Sequence, residues 1–327
     1  MLASAAVQGA PLAGSLVVDL TRYLPGPFAS RELLRLGARV VRLESPAGDP
    51  LREIEPAWDT LLNAGKESVV CDLKAEPELG RALCARADVV LESFRPGVAA
   101  RLGVGPDDLP ERVVYCSLTG FEAEGDRAPW VGHDLNYLGY AGALADTAPA
   151  LPPLPVADLG GALSAVGEIL AALLERERTG RGARLTVSLT AVAQRLAPFG
   201  GPLTGRLACY RIYRTGDGRW LTVAALEPSF FTRLCELVGR PELAAHQADA
   251  DQESLAAELE ESFAARPLAA WLELLEGEEA CAGPVLSLEE ATAGSPPAPA
   301  PALGEHTEAW RRELQPGRGS PSAAGSA

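Results

Sequence analysis

Lysine is scarce in this sequence: only Lys66 and Lys74 occur among its 327 residues. Basic side chains, 29 in all, are outnumbered by 44 acidic ones, which gives a formal net charge of −15. A chain this acidic is not expected to bind nucleic acid or an anionic membrane surface as a whole. An anionic ligand would need a local basic pocket, built mainly from arginine, whose planar guanidinium binds two phosphate oxygens at once.

Cysteine pairs and histidine clusters are also missing. None of the six cysteines forms a CxxC pair and the three histidines are scattered, which argues against a zinc site. The sequence starts without the pattern of a signal peptide, so we expect a reducing, cytoplasmic setting. The most apolar stretch, 159–174, contains Glu168 and runs into charged residues, so it predicts a buried helix and no membrane span.

The sequence also lacks the glycine motifs of nucleotide-binding enzymes. No GxGxxG follows the first predicted strand, where residues 21–27 place one glycine between two prolines. A GxxxxGK[ST] loop and a GxSxG elbow are absent as well. These absences argue against dinucleotide redox chemistry, nucleoside triphosphate binding and a serine hydrolase.

What the first half does contain is a regular alternation of strand-like and helix-like runs. The strand candidates are rich in valine and leucine with little alternation, which is typical of parallel strands buried on both faces. We therefore predict an α/β fold whose large domain is a Rossmann-like open parallel sheet. The predicted strands are 15–20, 39–44, 68–73, 88–92, 112–118 and 183–189, and the predicted helices are 27–36, 77–86, 98–102 and 159–177.

The pattern changes after residue 195. Thr215-Gly216-Asp217-Gly218 lies between two strand-like runs and predicts a hairpin, and three helix-like runs follow it. We predict a large α/β domain over 1–195, a linker over 196–207 and a small α+β domain over 208–292. Residues 293–327 read as a Pro/Ala-rich linker and tail that could return to the large domain, with its last dozen residues disordered.

Several side chains are candidates for chemistry, each with a plain structural alternative. His133 lies at a predicted helix start on the carboxyl side of the fifth strand, where open α/β sheets bind ligands; a structural role is equally open. Asp158 would cap the next helix, but the glycines at 160–161 suit a closely approaching ligand better than a first helical turn. Glu227 precedes a helix whose dipole alone favours a carboxylate. Arg95, between a strand and a helix, is well placed for a phosphate.

Seven segments, colinear along the chain, together resemble the family III CoA-transferases (the CaiB/BaiF type), and within them the α-methylacyl-CoA racemase branch. The resemblance extends from about residue 13 to about residue 290. GHDLNY and ALEP point to the racemase branch. The segments are VVDLTRYLPGPFASRELLRLGARVVRLESPAGDPLR (17–52), LLNAGKESVVCDLK (61–74), ADVVLESFRPGVAARLGVGPDDL (87–109), VVYCSLTGFEAEG (113–125), GHDLNYLGYAG (132–142), VADLGGAL (156–163) and YRTGDGRWLTVAALEPSFF (213–231).

The resemblance implies roles for particular residues of this chain. His133 and Asp158 match the proton-transfer pair of the racemases, and Glu227 matches an acidic residue that supports the histidine from the partner subunit. An acyl-CoA thioester as substrate, an interlocked homodimer and no metal or cofactor beyond the CoA moiety are implied as well. The expected CoA-binding residues are Arg42, Cys71, Asp72, Leu73, Lys74, Ser93, Phe94, Arg95, Arg101, Gly132, Asp134, Leu135, Asn136 and Tyr137.

The sequence departs from the family pattern in three places. The segment between Leu189 and Tyr210 is shorter than the family's helical linker, which bears on the interlocking, and the C-terminal region is short as well. Ser45 stands where racemases often carry a basic residue, so one phosphate contact is expected to be missing.

These observations favour an α-methylacyl-CoA racemase or epimerase that works by 1,1-proton transfer at the thioester α-carbon. One imidazole and one carboxyl group can exchange the roles of acid and base, and the backbone N–H of Asp134 could stabilise the enolate oxygen. Two alternatives stay open. A family III CoA-transferase would use Asp158 as a nucleophile and pass through an aspartyl-CoA intermediate. An inactive paralogue would bind acyl-CoA without turning it over.

Overall fold

The computed structural model describes residues 9–292 and 298–315. These residues form two compact units. The larger unit comprises 9–144, 152–195 and 298–315, and the smaller unit comprises 145–151 and 196–292. Each unit has its own hydrophobic core. The last dozen residues, which the sequence predicts to be disordered, lie outside the described residues.

The larger unit is built on a six-stranded parallel sheet in the order β3-β2-β1-β4-β5-β6. This confirms the predicted fold class. Val17 of the central strand lies opposite Val40 on one side and Val89 on the other. The strands are β1 (Leu16–Asp19), β2 (Arg39–Glu44), β3 (Glu67–Val70), β4 (Val89–Glu92), β5 (Val114–Thr119) and β6 (Arg184–Ser188).

Helices cover both faces of this sheet, and the two faces have separate apolar clusters. Val17 and Val18, neighbours in β1, are both fully buried because each points into a different cluster. The helices are α1 (Pro25–Arg35), α2 (Leu51–Ile54), α3 (Pro56–Asn63), α4 (Pro77–Arg86), α5 (Val98–Arg101), α6 (Asp134–Tyr140), α7 (Val156–Thr179) and α8 (Leu189–Leu196).

Helix α7 is the apolar helix that the sequence predicts, three residues longer at its start. By length and composition alone it could cross a membrane, but it packs against α1 and against strands β5 and β6. Ala165 and Ile169 on its inner face are completely buried. A core helix accounts for this apolar sequence.

Residues 298–315 belong to the larger unit, and this segment covers the edge strand β3. The helix of this segment (Thr307–Glu313) is preceded by His306, whose N–H donates to the Ser68 carbonyl over 2.9 Å. The Val70 N–H in turn donates to Thr307 Oγ1 over 2.9 Å. An exposed edge strand invites pairing with other chains, and this segment occupies the free backbone groups of β3.

The smaller unit is a three-stranded antiparallel sheet, β7 (Tyr210–Arg214), β8 (Trp220–Ala224) and β9 (Ala282–Pro284), in that order. Its helices are α9 (Pro228–Leu237), α10 (Gln252–Ala264), α11 (Leu268–Leu275) and α12 (Leu288–Ala291), and the Thr307–Glu313 helix of the larger unit is α13. The predicted hairpin forms between β7 and β8, with Tyr213 opposite Leu221. In the predicted linker region, short 3₁₀ turns follow α8 at Ala197–Phe199 and Gly201–Thr204.

Candidate active site

The order of the sheet places the turning point of its topology between β1 and β4, where loops leave adjacent strands towards opposite sides. Ligands of open α/β sheets bind at this carboxyl edge. A cavity of about 320 Å³ lies here. It is lined by Leu20, Thr21, Arg22, Leu43, Glu44, Ser45, Gly48, Asp49, Cys71, Asp72, Leu73, Lys74, Phe94 and Leu102.

Five residues expected to bind CoA line this cavity, the run 71–74 and Phe94. The sequence predicts 71–73 as the end of a strand, but β3 stops at Val70 and the chain turns along the cavity wall. A shallow basic depression adjoins the cavity through Leu73, Lys74 and Leu102, which line both. Arg81, Arg101 and Asp108 also line this depression, so three cations face it with one carboxylate, and the excess of positive charge suits a phosphate.

Ser93 and Arg95 are exposed on the loop between β4 and α5. The buried Glu92 carboxylate accepts the Phe94 N–H over 2.6 Å and so fixes the start of this loop. Within the described residues, neither Arg95 nor Arg101 forms an ion pair. Both cations therefore remain free for an anionic ligand.

Arg42 corrects one expectation. Its side chain is fully buried, and its guanidinium binds Asp49 over 2.9 Å and Asp59 over 2.8 Å, with Glu44 at 3.6 Å. A cation held by carboxylates out of contact with solvent does not reach a CoA phosphate, so the prediction that Arg42 binds CoA is wrong. Arg22, which no sequence pattern singles out, lines the cavity, as does Ser45.

The structure brings the start of α6 and the start of α7 together. His133 is the residue preceding α6 and is exposed, and its N–H donates to Asn136 Oδ1 over 3.0 Å. The Asp158 N–H donates to Asp134 Oδ1 over 2.9 Å, which ties α7 to the residue next to His133. Asp158 is the third residue of α7 and not its cap, because the helix begins at Val156. The capping explanation for Asp158 is therefore wrong.

The Asp158 carboxyl group is electrostatically unusual. Burial raises its pKa from 3.8 to about 7, and the nearby Asp134 carboxylate adds to the rise because two like charges disfavour ionisation. Burial also raises the pKa of Tyr137 to about 12, with contributions from Asp158 and Asp134. The Tyr137 hydroxyl donates to the Gly132 carbonyl and so holds the loop before His133. A carboxyl group that titrates near neutrality can both give and take a proton.

Aromatic rings surround this cluster. Tyr23, from the loop after β1, meets the His133 imidazole edge to face with ring centroids 6.2 Å apart. Phe121 forms edge-to-face pairs with Trp130, Tyr137 and Tyr140 at 5.4–5.8 Å. Trp130 and Tyr140 are about half exposed, as is Leu135. An apolar surface therefore adjoins the loop that carries His133.

Comparison with known proteins identifies the family. The model of CoA-transferase family III matches residues 12–298. The chain belongs to CoA-transferase family III. The resemblance read from the sequence is thereby confirmed, and the chain is an enzyme of this family.

Both activities of the family occur among the relatives of this CoA-transferase family III chain. It is 34% identical over 308 residues to the alpha-methylacyl-CoA racemase of Mus musculus, covering 86% of this chain and 79% of the relative. It is 32% identical over 320 residues to the acetyl-CoA:oxalate CoA-transferase of Acetobacter aceti, covering 86% and 82%. The crystal structure of a CaiB/BaiF family protein from Brucella suis superposes with a TM-score of 0.78 at 28% identity, covering 94% of this chain and all of that chain.

Glu227, expected from the family resemblance to support His133, belongs to the smaller unit, whereas His133 and Asp158 belong to the larger one. It is exposed and directly precedes α9, without capping that helix through its side chain. Its part in the site stays a prediction that rests on the family resemblance.

Proposed function

We propose that this chain is an α-methylacyl-CoA racemase or epimerase that moves a proton at the α-carbon of an acyl-CoA thioester. The observation that carries the proposal is the Asp158 carboxyl group, whose pKa lies near 7 and whose backbone is bonded to the residue following His133. Inversion of a carbon needs an acid on one face and a base on the other. An imidazole and a carboxyl group can exchange these roles.

In this proposal the CoA moiety occupies the cavity beside 71–74, with its phosphates on the neighbouring cations. Binding there holds the reacting carbon in place, so remote contacts assist the chemical step. One of the pair, His133 or Asp158, removes the α-proton and the other returns a proton to the opposite face. Asp134 is the first residue of α6 and its N–H has no partner within the helix, so it is available to the enolate oxygen.

CoA transfer is the second candidate, because a CoA-transferase is 32% identical to this chain. There the Asp158 carboxylate would attack the thioester carbonyl and expel CoA thiolate, which forms a mixed anhydride. The thiolate would then attack the Asp158 carbonyl of the anhydride, giving an aspartyl-CoA thioester and releasing the donor acid as its carboxylate. A nucleophile must be ionised, and a pKa near 7 leaves much of the Asp158 population protonated at neutral pH. The same pKa suits proton transfer, which is why we favour the racemase.

The deciding experiment is deuterium incorporation from D₂O into a panel of 2-methylacyl-CoA thioesters. We expect exchange with the wild type and none with His133→Ala, while both proteins still bind CoA. Unchanged exchange in the variant would remove His133 from the mechanism. Hydroxylamine trapping at Asp158 after incubation with acyl-CoA would instead establish the transferase, because a racemase forms no covalent adduct.

The proposal includes a cytoplasmic homodimer in which Glu227 of the partner subunit supports His133. Sedimentation of the purified protein measures the oligomeric state directly. A monomer with full exchange activity would exclude that contribution of Glu227.

A further inference from the structure

Tyr23 has a backbone conformation that its sequence does not explain. Its φ is +66°, in the left-handed region that favours glycine and disfavours a bulky side chain. The side chain is 44% exposed, so burial of the ring in a core does not account for the conformation. A strained residue that persists is held by its surroundings and is often found at functional sites.

A buried carboxylate holds the backbone of Tyr23 in this conformation. Its N–H donates to Asp49 Oδ2 over 3.2 Å. The Asp49 carboxylate is buried and is itself fixed by Arg42 at 2.9 Å and by the Leu51 N–H at 3.0 Å. Arg42, which does not reach the ligand, thus anchors the carboxylate that fixes the loop after β1.

At its other end Tyr23 meets the His133 imidazole, with the two rings nearly perpendicular at 87°. Aromatic pairs prefer this arrangement, since the positive edge of one ring faces the negative face of the other. Among the residues that the structure describes, the imidazole has no hydrogen-bond partner. The ring of Tyr23 is therefore a contact that can limit rotation of the imidazole.

We propose that Tyr23 is a positioning residue for His133, held in its left-handed conformation by the buried Arg42–Asp49 pair so that its ring fixes the orientation of the imidazole. The effect on turnover rests on the proposed function, whereas the ring contact does not. Thr21 and Arg22, the two preceding residues, line the cavity. The loop after β1 therefore contacts both the expected CoA site and His133.

Tyr23→Gly and Tyr23→Phe separate positioning from stability. Glycine removes the ring but suits a positive φ, so we expect its melting temperature to equal or exceed that of the wild type. Its α-proton exchange should fall about tenfold in kcat with KM for the acyl-CoA little changed, because the orientation of the imidazole is lost. Phenylalanine keeps the ring and should keep exchange within about twofold. Unchanged exchange in Tyr23→Gly, or equal loss in both variants, would overturn the proposal.

A second measurement does not depend on activity. In protein labelled at its three histidines, NMR should show contacts between the Tyr23 ring and one imidazole, assigned to His133 by their loss in His133→Gln. The contacts should persist in Tyr23→Phe, and in Tyr23→Gly the His133 imidazole should sample more rotamers. Absence of the contacts in the wild type overturns the positioning role. Their presence without any exchange or transfer activity would instead contradict the proposed function alone.

Discussion

At the scale of single residues, the Asp158 carboxyl group is costly to the fold. Its folded-state pKa of about 7 lies above the ordinary 3.8, so the unfolded chain ionises first as the pH rises. The free energy of unfolding therefore falls progressively as the pH rises from about 4 to about 7, because the unfolded chain gives up this proton before the folded protein does. A group retained in such a position serves chemistry better than stability.

Asp158→Asn should therefore abolish α-proton exchange and stabilise the protein at pH 8. We expect a gain on the order of 2 kcal/mol, less than the full shift implies because the side chain keeps some contact with solvent. Urea unfolding at pH 4 and pH 8 measures it. The gain should be much smaller at pH 4, where Asp158 is protonated in the folded state and only partly ionised in the unfolded chain. An equal gain at both pH values would show that the charge of Asp158 does not destabilise the folded protein.

How far the sequence predicts single residues differs from one residue to the next. His133 and Asp158 are predicted as site residues from local patterns and the family resemblance. The structure joins their segments through the hydrogen bond from the Asp158 N–H to Asp134, and their roles stay predictions. Arg42 was misread because a basic residue in a strand does not show whether it faces a ligand or the carboxylates of 49 and 59. Tyr23 was missed because its signal is a positive φ and a contact with a residue 110 positions away, neither of which is written in the sequence.

At the scale of elements, the easiest to predict were an apolar strand and a helix that begins with proline. The predicted bounds of β2 and α4 match the structure at both ends. The short elements α2 and β9, of four and three residues, were missed since runs that short carry no readable period. Strand β9 forms because it pairs with β8, far earlier in the chain, whereas α2 packs against the adjacent α3.

Two glycines of α7 give an internally controlled prediction. A Cβ at Gly161 would lie 2.2 Å from Leu189 Cδ2, whereas a Cβ at Gly167 meets nothing within 4 Å. Gly167→Ala should stabilise the protein by about 0.5–1 kcal/mol through helix propensity. Gly161→Ala should destabilise it by about 1–3 kcal/mol through overpacking.

Thermal unfolding of both variants measures this difference. Close packing of α7 on the start of α8 accounts for Gly161 without a ligand. The interpretation of Gly160 as room for a closely approaching ligand stays a prediction. A stabilising Gly161→Ala would show that Leu189 yields easily and that packing does not require glycine there.

At the scale of the whole molecule, Trp310 of the C-terminal helix α13 joins that helix to strands β2 and β3 of the sheet. Its indole is fully buried, its N–H donates to Glu67 over 2.7 Å, and the Arg39 guanidinium lies 4.2 Å from the ring centre. The alternation of strands and helices predicted the sheet. It could not predict that α13 covers β3, because the sequence of one short helix does not show which part of the sheet the helix packs against.

Trp310→Ala should cost about 3–5 kcal/mol, because a large buried ring is lost and a donor to Glu67 with it. Since β3 leads directly into 71–74, we expect local opening at the CoA cavity to require less free energy than opening of the rest of the sheet. Hydrogen exchange under native conditions measures this: the amides of β3 should become less protected than those of β5. Trp310→Phe, which keeps most of the ring, should show a smaller change of the same kind. A uniform loss of protection in both strands would mean that α13 stabilises the unit globally and does not specifically secure the wall of the cavity.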